Sequence, residues 1–341
     1  MAVVGQALKK PQAARGALST APGRTHFIPI VRKLKFLCVL VAIFAGLRIG
    51  SGGAQTYNSK LHEPIGHAIV GGEQEFTVES GNTLYEIAGY FGVDVRTIAA
   101  INHVRVNSII RPGQRLRIDN RHIVPFSLHD GIIVNVPQRM LFFFKNGKLF
   151  GAYPVAVGRP SWPTPRGAFS IAEKREHPVW RVPVSIQNEM RREGLMVETR
   201  VPPGPDNPLG NYWLGLSIPG YGIHSTNAPE SIYTFGTHGC IRLHPDDAEQ
   251  LFKNVKVGDR GEIIYEPYLL ARLPDGKVFL EVHRDIYGKG GPALPVIKII
   301  ASSNHLENLI DWRRAAEVVT RAEGIAREVT AARNPSGGAA Q

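Results

Sequence analysis

The chain has 341 residues, 40 Lys and Arg against 29 Asp and Glu, a formal charge of +11 and 43% apolar residues. That length allows two or three domains, and the composition is that of a soluble globular protein rather than a disordered or fibrous one. The basicity is local: residues 1–54 hold eight basic and no acidic residues, leaving 32 basic against 29 acidic residues beyond them, with no dense Lys/Arg run. An electrostatic footprint for nucleic acid is therefore missing.

Residues 1–54 read as an export signal or N-terminal anchor. Arg32, Lys33 and Lys35 precede the apolar run 36–47, and the small residues 50–54 follow it. The run is short against the ~20 apolar residues of a bilayer span, so cleavage is the favoured reading and a retained anchor the alternative. Either way the rest of the chain is expected in the periplasm or cell envelope. Cys38 lies in the leader, so Cys240 is the single thiol beyond it and has no partner for an internal disulfide.

Residues 55–75 are polar and glycine-containing and read as a linker. From 76 to 118 the pattern predicts strand, helix, helix, strand. Phe76-Thr77-Val78 is the first strand, and Thr83 or Asn82 caps a helix with Leu84, Ile87, Ala88 and Phe91 at helical spacing. Asp94 caps a second helix with Val95, Ile98 and Ile101, and the Pro112-Gly113 turn leads to a closing strand at 114–118. This βααβ unit resembles a LysM module, which implies binding of N-acetylglucosamine-containing glycan such as peptidoglycan. Asn82 stands where that family usually has Asp. A plain βααβ spacer is the alternative.

Residues 122–268 are strand-rich. Apolar runs at 132–136, 139–144 and 148–153 are separated by Pro137-Gln138 and by the hairpin signal Asn146-Gly147. Further strands are expected at 155–158, 167–171, 212–216, 221–223 and 262–265, with a short helix at 248–252. Short strands and tight turns point to a β-sandwich or barrel-like domain. Residues 172–206 are a charged insertion, readable as a lid or as surface decoration. In residues 269–341 a strand at 277–282 precedes one helix over about 306–332, capped by Asn304 with Glu307, that packs on the sandwich or docks a partner.

The chemistry concentrates between His224 and Arg242. His224-Ser225 and, after a loop, Thr237-His238-Gly239-Cys240-Ile241-Arg242 place two histidines and a glycine beside the thiol. A thiol becomes a useful nucleophile as thiolate, and an imidazole is the usual means of lowering its pKa and taking its proton. Gly239 leaves room for backbone N–H groups to hold an oxyanion. An inert buried cysteine is the bland alternative. The other histidines show no metal-ligand spacing, so a zinc peptidase is the weaker reading, and neither metal nor cofactor is expected.

The ordered set Asn146-Gly147-Lys148, Gly158, Thr164-Pro165-x-Gly167-x-Phe169, Asn207-Pro208-Leu209-Gly210, Gly222-Ile223-His224 and His238-Gly239-Cys240-Ile241-Arg242-Leu243 resembles the L,D-transpeptidase (YkuD-type) catalytic domain. The resemblance implies a mainly β fold: a YkuD-type β-sandwich, a small βααβ LysM module and a C-terminal helix. It implies that Cys240 attacks a peptide carbonyl to form a thioester and that His224 is its base. His238 would shape the oxyanion pocket or orient the loop, Gly239 and the Cys240 N–H would bind the oxyanion, and Ser225 would orient His224. Arg242 would bind a substrate carboxylate or else pair with Asp246 or Asp247; Thr237 sits on the substrate-binding rim. Ser225, Thr237 and Tyr233 depart from the commonest residues of the family. The implied donor is a peptidoglycan tetrapeptide stem, and the acceptor a second stem, an outer-membrane or envelope protein, or water. Water would make the enzyme a carboxypeptidase or endopeptidase, and a non-catalytic peptidoglycan-binding scaffold is the rival of a different class.

Overall fold

The computed structural model describes residues 65–66, 68–126 and 128–332. The leader, the linker before residue 65 and the tail beyond 332 lie outside the described residues.

The βααβ unit forms because its caps and its apolar spacing agree. Strand Glu73–Thr77 pairs antiparallel with Arg115–Asp119, Glu73 opposite Asp119 and Thr77 opposite Arg115. Thr83, rather than Asn82, caps helix Leu84–Phe91: its hydroxyl accepts from the Glu86 N–H (3.1 Å), and its own N–H donates to Glu86 Oε2 (3.2 Å). Asn82 instead accepts from the Glu79 N–H (2.8 Å) and holds the preceding turn. Asp94 caps helix Val95–Ile101. Leu84, Ile87, Phe91, Ile98, Leu116 and Ile118 close a small core between helices and sheet.

The central sheet has nine strands in the order Phe235–Thr237, Lys148–Gly158, Ile241–Leu243, Gly222–His224, Tyr212–Leu216, Gly167–Glu176, Arg260–Ile264, Gly131–Asn135 and Met140–Lys145. Met140–Lys145 also pairs with Lys148–Gly158, so the sheet returns on itself as a barrel-like sandwich. The reversal is the predicted hairpin, with Asn146 and Gly147 both left-handed (φ 52° and 70°) as a type I′ turn requires. Phe142-Phe143-Phe144 reads as one apolar run because both faces of its strand are covered. Phe143 points into the sandwich with Ile132, Val134, Leu141, Val155 and Ile171, whereas Phe142 and Phe144 meet Phe126, Ile232 and Tyr233 on the other face.

The flanking regions depart from expectation. Residues 65–75 are not a free linker: Ile65–Gly66 pairs parallel with Tyr268–Arg272, Ala68–Val70 pairs antiparallel with His122–Val124, and Glu73 opens the βααβ unit. The small sheet formed by Ile65–Gly66, Tyr268–Arg272, Val278–Val282 and Arg327–Glu328 needs those residues at its edge. The single helix expected over 306–332 is instead broken. Helix Ala293–Ser303, unforeseen, ends at Asn304, which is thus a C-cap and not an N-cap. Asp311 caps helix Trp312–Arg321, accepting from the Arg313 and Arg314 N–H groups, and left-handed Ala322 ends it before strand Arg327–Glu328. Both helices pack on the small sheet through Ile297, Ala301 and Ala315.

One buried carboxylate joins these parts. Glu281, on Val278–Val282, accepts at Oε1 from His122 Nδ1 (2.8 Å), His283 Nε2 (2.7 Å) and Gln138 Nε2 (3.1 Å), and at Oε2 from the Ile123 N–H (2.5 Å). His122 Nε2 faces the Gly92 carbonyl (2.7 Å) at the end of the first βααβ helix. Both His122 nitrogens thus face oxygen acceptors. Burial alone would raise the Glu281 carboxyl, but the His122 charge and the two histidine hydrogen bonds hold it down at about 2. Replacing Glu281 by Leu strands His122 in the interior, and we expect it to cost about 3–5 kcal/mol of stability. Chemical denaturation measures this, and a loss below about 1 kcal/mol would show the cluster to be dispensable.

Candidate active site

The sheet sets the geometry of the thiol. Strand Gly222–His224 runs parallel to Ile241–Leu243, with Ile223 opposite Ile241 and His224 opposite Arg242. As register partners, His224 and Arg242 share one face of the two strands, and Cys240 immediately precedes the second of them. The Gly222 backbone N–H reaches the Cys240 sulfur.

His224 is buried and its orientation is fixed. Nδ1 lies 2.6 Å from the Ser225 carbonyl oxygen, which can only accept, so Nδ1 carries the proton and Nε2 is left with its lone pair. Trp213, opposite His224 on strand Tyr212–Leu216, stacks over the ring with centroids 6.0 Å apart, and its indole N–H donates to Glu173 (2.9 Å). Ser225 thus orients His224 through its backbone carbonyl rather than its hydroxyl.

Burial decides the charge state of the pair. It pushes the His224 imidazole down to about 3, helped by the nearby Arg242 charge and opposed by the Ser225 hydrogen bond. Burial likewise pushes the Cys240 thiol up, against the smaller lowering effects of the Gly222 N–H and Arg242. Cys240 therefore rests as a neutral thiol and His224 as a neutral imidazole, because desolvation outweighs the effects that would lower the thiol pKa.

The Thr237-to-Cys240 loop is tied from within. Thr237, placed on the substrate rim by sequence, is buried; its hydroxyl accepts from the Gly239 N–H (3.1 Å) and donates to the Cys240 carbonyl (2.6 Å). The Gly239 amide is thereby engaged within the loop. Gly239 is left-handed (φ 102°), and a Cβ there would lie 2.5 Å from the Tyr221 ring, so the loop cannot take a larger residue unchanged.

His238 bonds the 172–206 insertion. Its Nε2 lies 2.5 Å from Glu189 Oε2 and 3.1 Å from Arg159 Nη2, Arg159 pairs with Glu189, and the Trp162 ring stands edge-on to it at 5.0 Å. Glu189 sits on helix Val184–Arg192 inside the 172–206 insertion, whose strands Trp180–Arg181 and Arg200–Val201 form a ribbon. The hydrogen bonds from His238 and Arg159 hold the Glu189 carboxyl below its usual range. The insertion is thus attached to the loop that carries Cys240. Glu189, Arg159 and Trp162 escaped the sequence reading, because nothing in the charged insertion marks which carboxylate turns inward.

Arg242 Nη1 donates to Ser231 Oγ (2.7 Å). Burial lowers its pKa, with Cys240 and Glu230 acting the other way. Elsewhere, His122, Glu281 and His283 bring three potential metal-ligating atoms within 4.8 Å of one another, a group invisible to spacing because the first two residues lie 159 positions apart. Glu281 Oε1 already accepts three hydrogens there, so an ion would have to displace its donors.

A family profile described as the L,D-transpeptidase catalytic domain matches residues 129–263, and one described as the LysM domain matches residues 76–119. The chain is 32% identical over 260 residues to the probable L,D-transpeptidase ErfK/SrfK of Escherichia coli K12, covering 75% of this chain and 82% of that one. Similarity to the probable L,D-transpeptidase YbiS of the same organism is 31% over 225 residues, 65% of this chain and 73% of the other. The putative L,D-transpeptidase YqjB of Bacillus subtilis 168 is 37% identical over 134 residues, 38% of this chain and 68% of that one. With its mainly β catalytic fold, its LysM domain and relatives matched over most of their length, the chain belongs to the L,D-transpeptidase family.

Proposed function

We propose that this peptidoglycan transpeptidase is exported and works through a Cys240 thioester on tetrapeptide stems, joining them to an amine of a second stem or of an envelope protein. What supports the reading is that Cys240 immediately precedes strand Ile241–Leu243, the parallel neighbour of the strand that ends in His224, and that the Ser225 carbonyl holds the His224 proton on Nδ1 and leaves Nε2 its lone pair. As the sulfur attacks the carbonyl of the third stem residue, His224 Nε2 takes the thiol proton. The tetrahedral oxyanion faces the Cys240 N–H. Collapse breaks the peptide bond, His224 returns the proton to the departing D-alanine amine, and the acyl group stays on sulfur. An acceptor amine then attacks the thioester, His224 takes its proton, and the C–S bond breaks to restore the thiol.

A neutral resting pair suits this sequence, because proton transfer coincides with attack and no thiolate waits in a buried site. Arg242, fixed in charge and tied to Ser231, is the group for a stem carboxylate. Ser225 and Thr237 support the reaction as positioning residues, and His238 anchors the insertion. The insertion helix, bonded to His238, helps screen the acyl-enzyme from water, which favours amine acceptors over hydrolysis. Binding without catalysis, as a scaffold, would leave the ordered His224–Cys240 arrangement unused.

Incubation with purified tetrapeptide muropeptides, read by mass spectrometry, should release D-alanine and yield cross-linked dimers. Cys240→Ala should abolish both, and His224→Gln should lower kcat/KM by about 10²–10⁴. A Cys240→Ala protein that still processes stems would overturn the mechanism, and tripeptide product without dimers would make water the acceptor. The neutral pair also predicts a pH profile. Since His224 stays unprotonated down to about 3, kcat/KM should show no acid limb between about pH 5 and 7, where an ordinary imidazole of pKa ~6.5 would titrate. Alkylation of Cys240 by iodoacetamide should keep rising past the usual thiol pKa of ~8.5, and a plateau near neutral pH would reveal a preformed thiolate instead.

A further inference from the structure

The LysM domain does not hang free of the catalytic domain. Its first helix rests on the segment 230–235, where a Cβ on Gly89 would come within 2.9 Å of the Ile232 carbonyl oxygen. Between them lies a groove of about 490 Å³. Tyr85, Arg96 and Asn107 line it from the LysM side, and Glu230, Ile232 and Phe235 from the catalytic side. Tyr85 is half exposed, an aromatic face open to solvent, while Ile232 is buried beneath. Arg139 holds the two walls together: its guanidinium lies 3.9 Å from the Tyr233 ring centroid, Nη1 donates to the Tyr233 carbonyl (2.9 Å), and Asp94 is 3.8 Å away. Arg139 and Tyr233 are both left-handed (φ 54° and 63°), so the backbone is held in an unfavourable region on either side of this contact.

The catalytic wall of the groove runs straight into the active site. Ser231 follows Glu230 and accepts from Arg242, and Phe235 opens the strand that ends in the Thr237-to-Cys240 loop, five positions before the nucleophile. We propose that this groove is a composite glycan site, built by both domains, that holds the sugars adjoining the disaccharide whose stem reacts at Cys240. The chemistry fits an acetamido-sugar strand: Tyr85 offers an aromatic face to a pyranose ring, Ile232 and Phe235 an apolar floor, and Arg96, Asn107 and Glu230 hydrogen bonds to hydroxyl and amide groups. The volume is that of a small-molecule site, within the range of about 300–1,000 Å³. The groove continues the LysM surface, which argues for the same glycan as its occupant rather than a protein. This inference rests on the tetrapeptide-stem reaction proposed above.

The test uses two substrates, a soluble disaccharide-tetrapeptide and glycan chains of many such units, with Tyr85→Ala to strip the aromatic face and Val106→Trp to fill the groove. Both residues lie at the groove and outside the catalytic machinery. On the long chains each variant should raise KM about tenfold, the equivalent of about 1.4 kcal/mol of binding, with kcat little changed. On the single disaccharide each should stay within about twofold of the parent. A stem-free tetramer of N-acetylglucosamine should inhibit the reaction on long chains and bind the variants more weakly in calorimetry. Equal losses on both substrates, no loss on either, or unchanged tetramer binding would overturn the composite site. Failure of the parent protein on both substrates would instead overturn the stem reaction, whatever the tetramer does.

Discussion

The saturated Glu281 carboxylate is the constraint on which the arrangement of the described chain depends. A buried charge is tolerated only when it is paired and hydrogen-bonded, and here the donors come from three separate stretches of sequence. Gln138 belongs to the turn between two strands of the central sheet, His122 and Ile123 to the strand entering it, and His283 to the end of the small C-terminal sheet. His122 reaches on to the Gly92 carbonyl, which ends the first LysM helix. No one of these parts can shift without leaving a buried polar group unpaired. The His122 ring also lies 6.2 Å from the Tyr233 ring, so the segment that rims the active site is braced from behind by the same cluster.

How much of this was legible in the sequence follows from how local each cause is. The capping box at Thr83 and Glu86, the Asn146-Gly147 hairpin and the strand alternation are decided within a few residues, and the LysM and catalytic folds follow from them. His224 and Cys240 are legible as a candidate chemical pair because they lie close in the chain. Their charge state is not, because desolvation depends on Trp213 and on burial by elements far away in sequence. The break in the C-terminal helix is hidden from the sequence for a similar reason. Apolar spacing ran on through left-handed Ala322, while the stop and the new strand are imposed by pairing with Val278–Val282. Residues 65–75 looked like linker because short edge strands carry almost no periodic signal before their partners are known.

The burial that keeps Cys240 and His224 neutral also shapes what the site can select. A preformed thiolate would meet any electrophile that reached it, whereas a neutral thiol depends on a substrate placing its carbonyl where attack and proton transfer happen together. Discrimination then moves to the groups that place the stem. Arg242, the group proposed for a stem carboxylate, is tied to Ser231 and close enough to Cys240 and His224 to bias their protonation. The Glu189–His238–Arg159 cluster fixes the insertion against the loop that carries Cys240.

Placement of the stem in turn depends on how the polymer is held. A glycan module on a flexible tether raises the local substrate concentration but leaves register to chance. Here Gly89 lets the LysM helix sit directly on Ile232, and Arg139 clamps Asp94 and Tyr233 across the same joint. With the two domains fixed to each other, sugars seated beside Tyr85 would stand at a set distance from Cys240. Stems project from a glycan strand at regular intervals, so a rigid joint turns binding of the polymer into a choice of which stem can react.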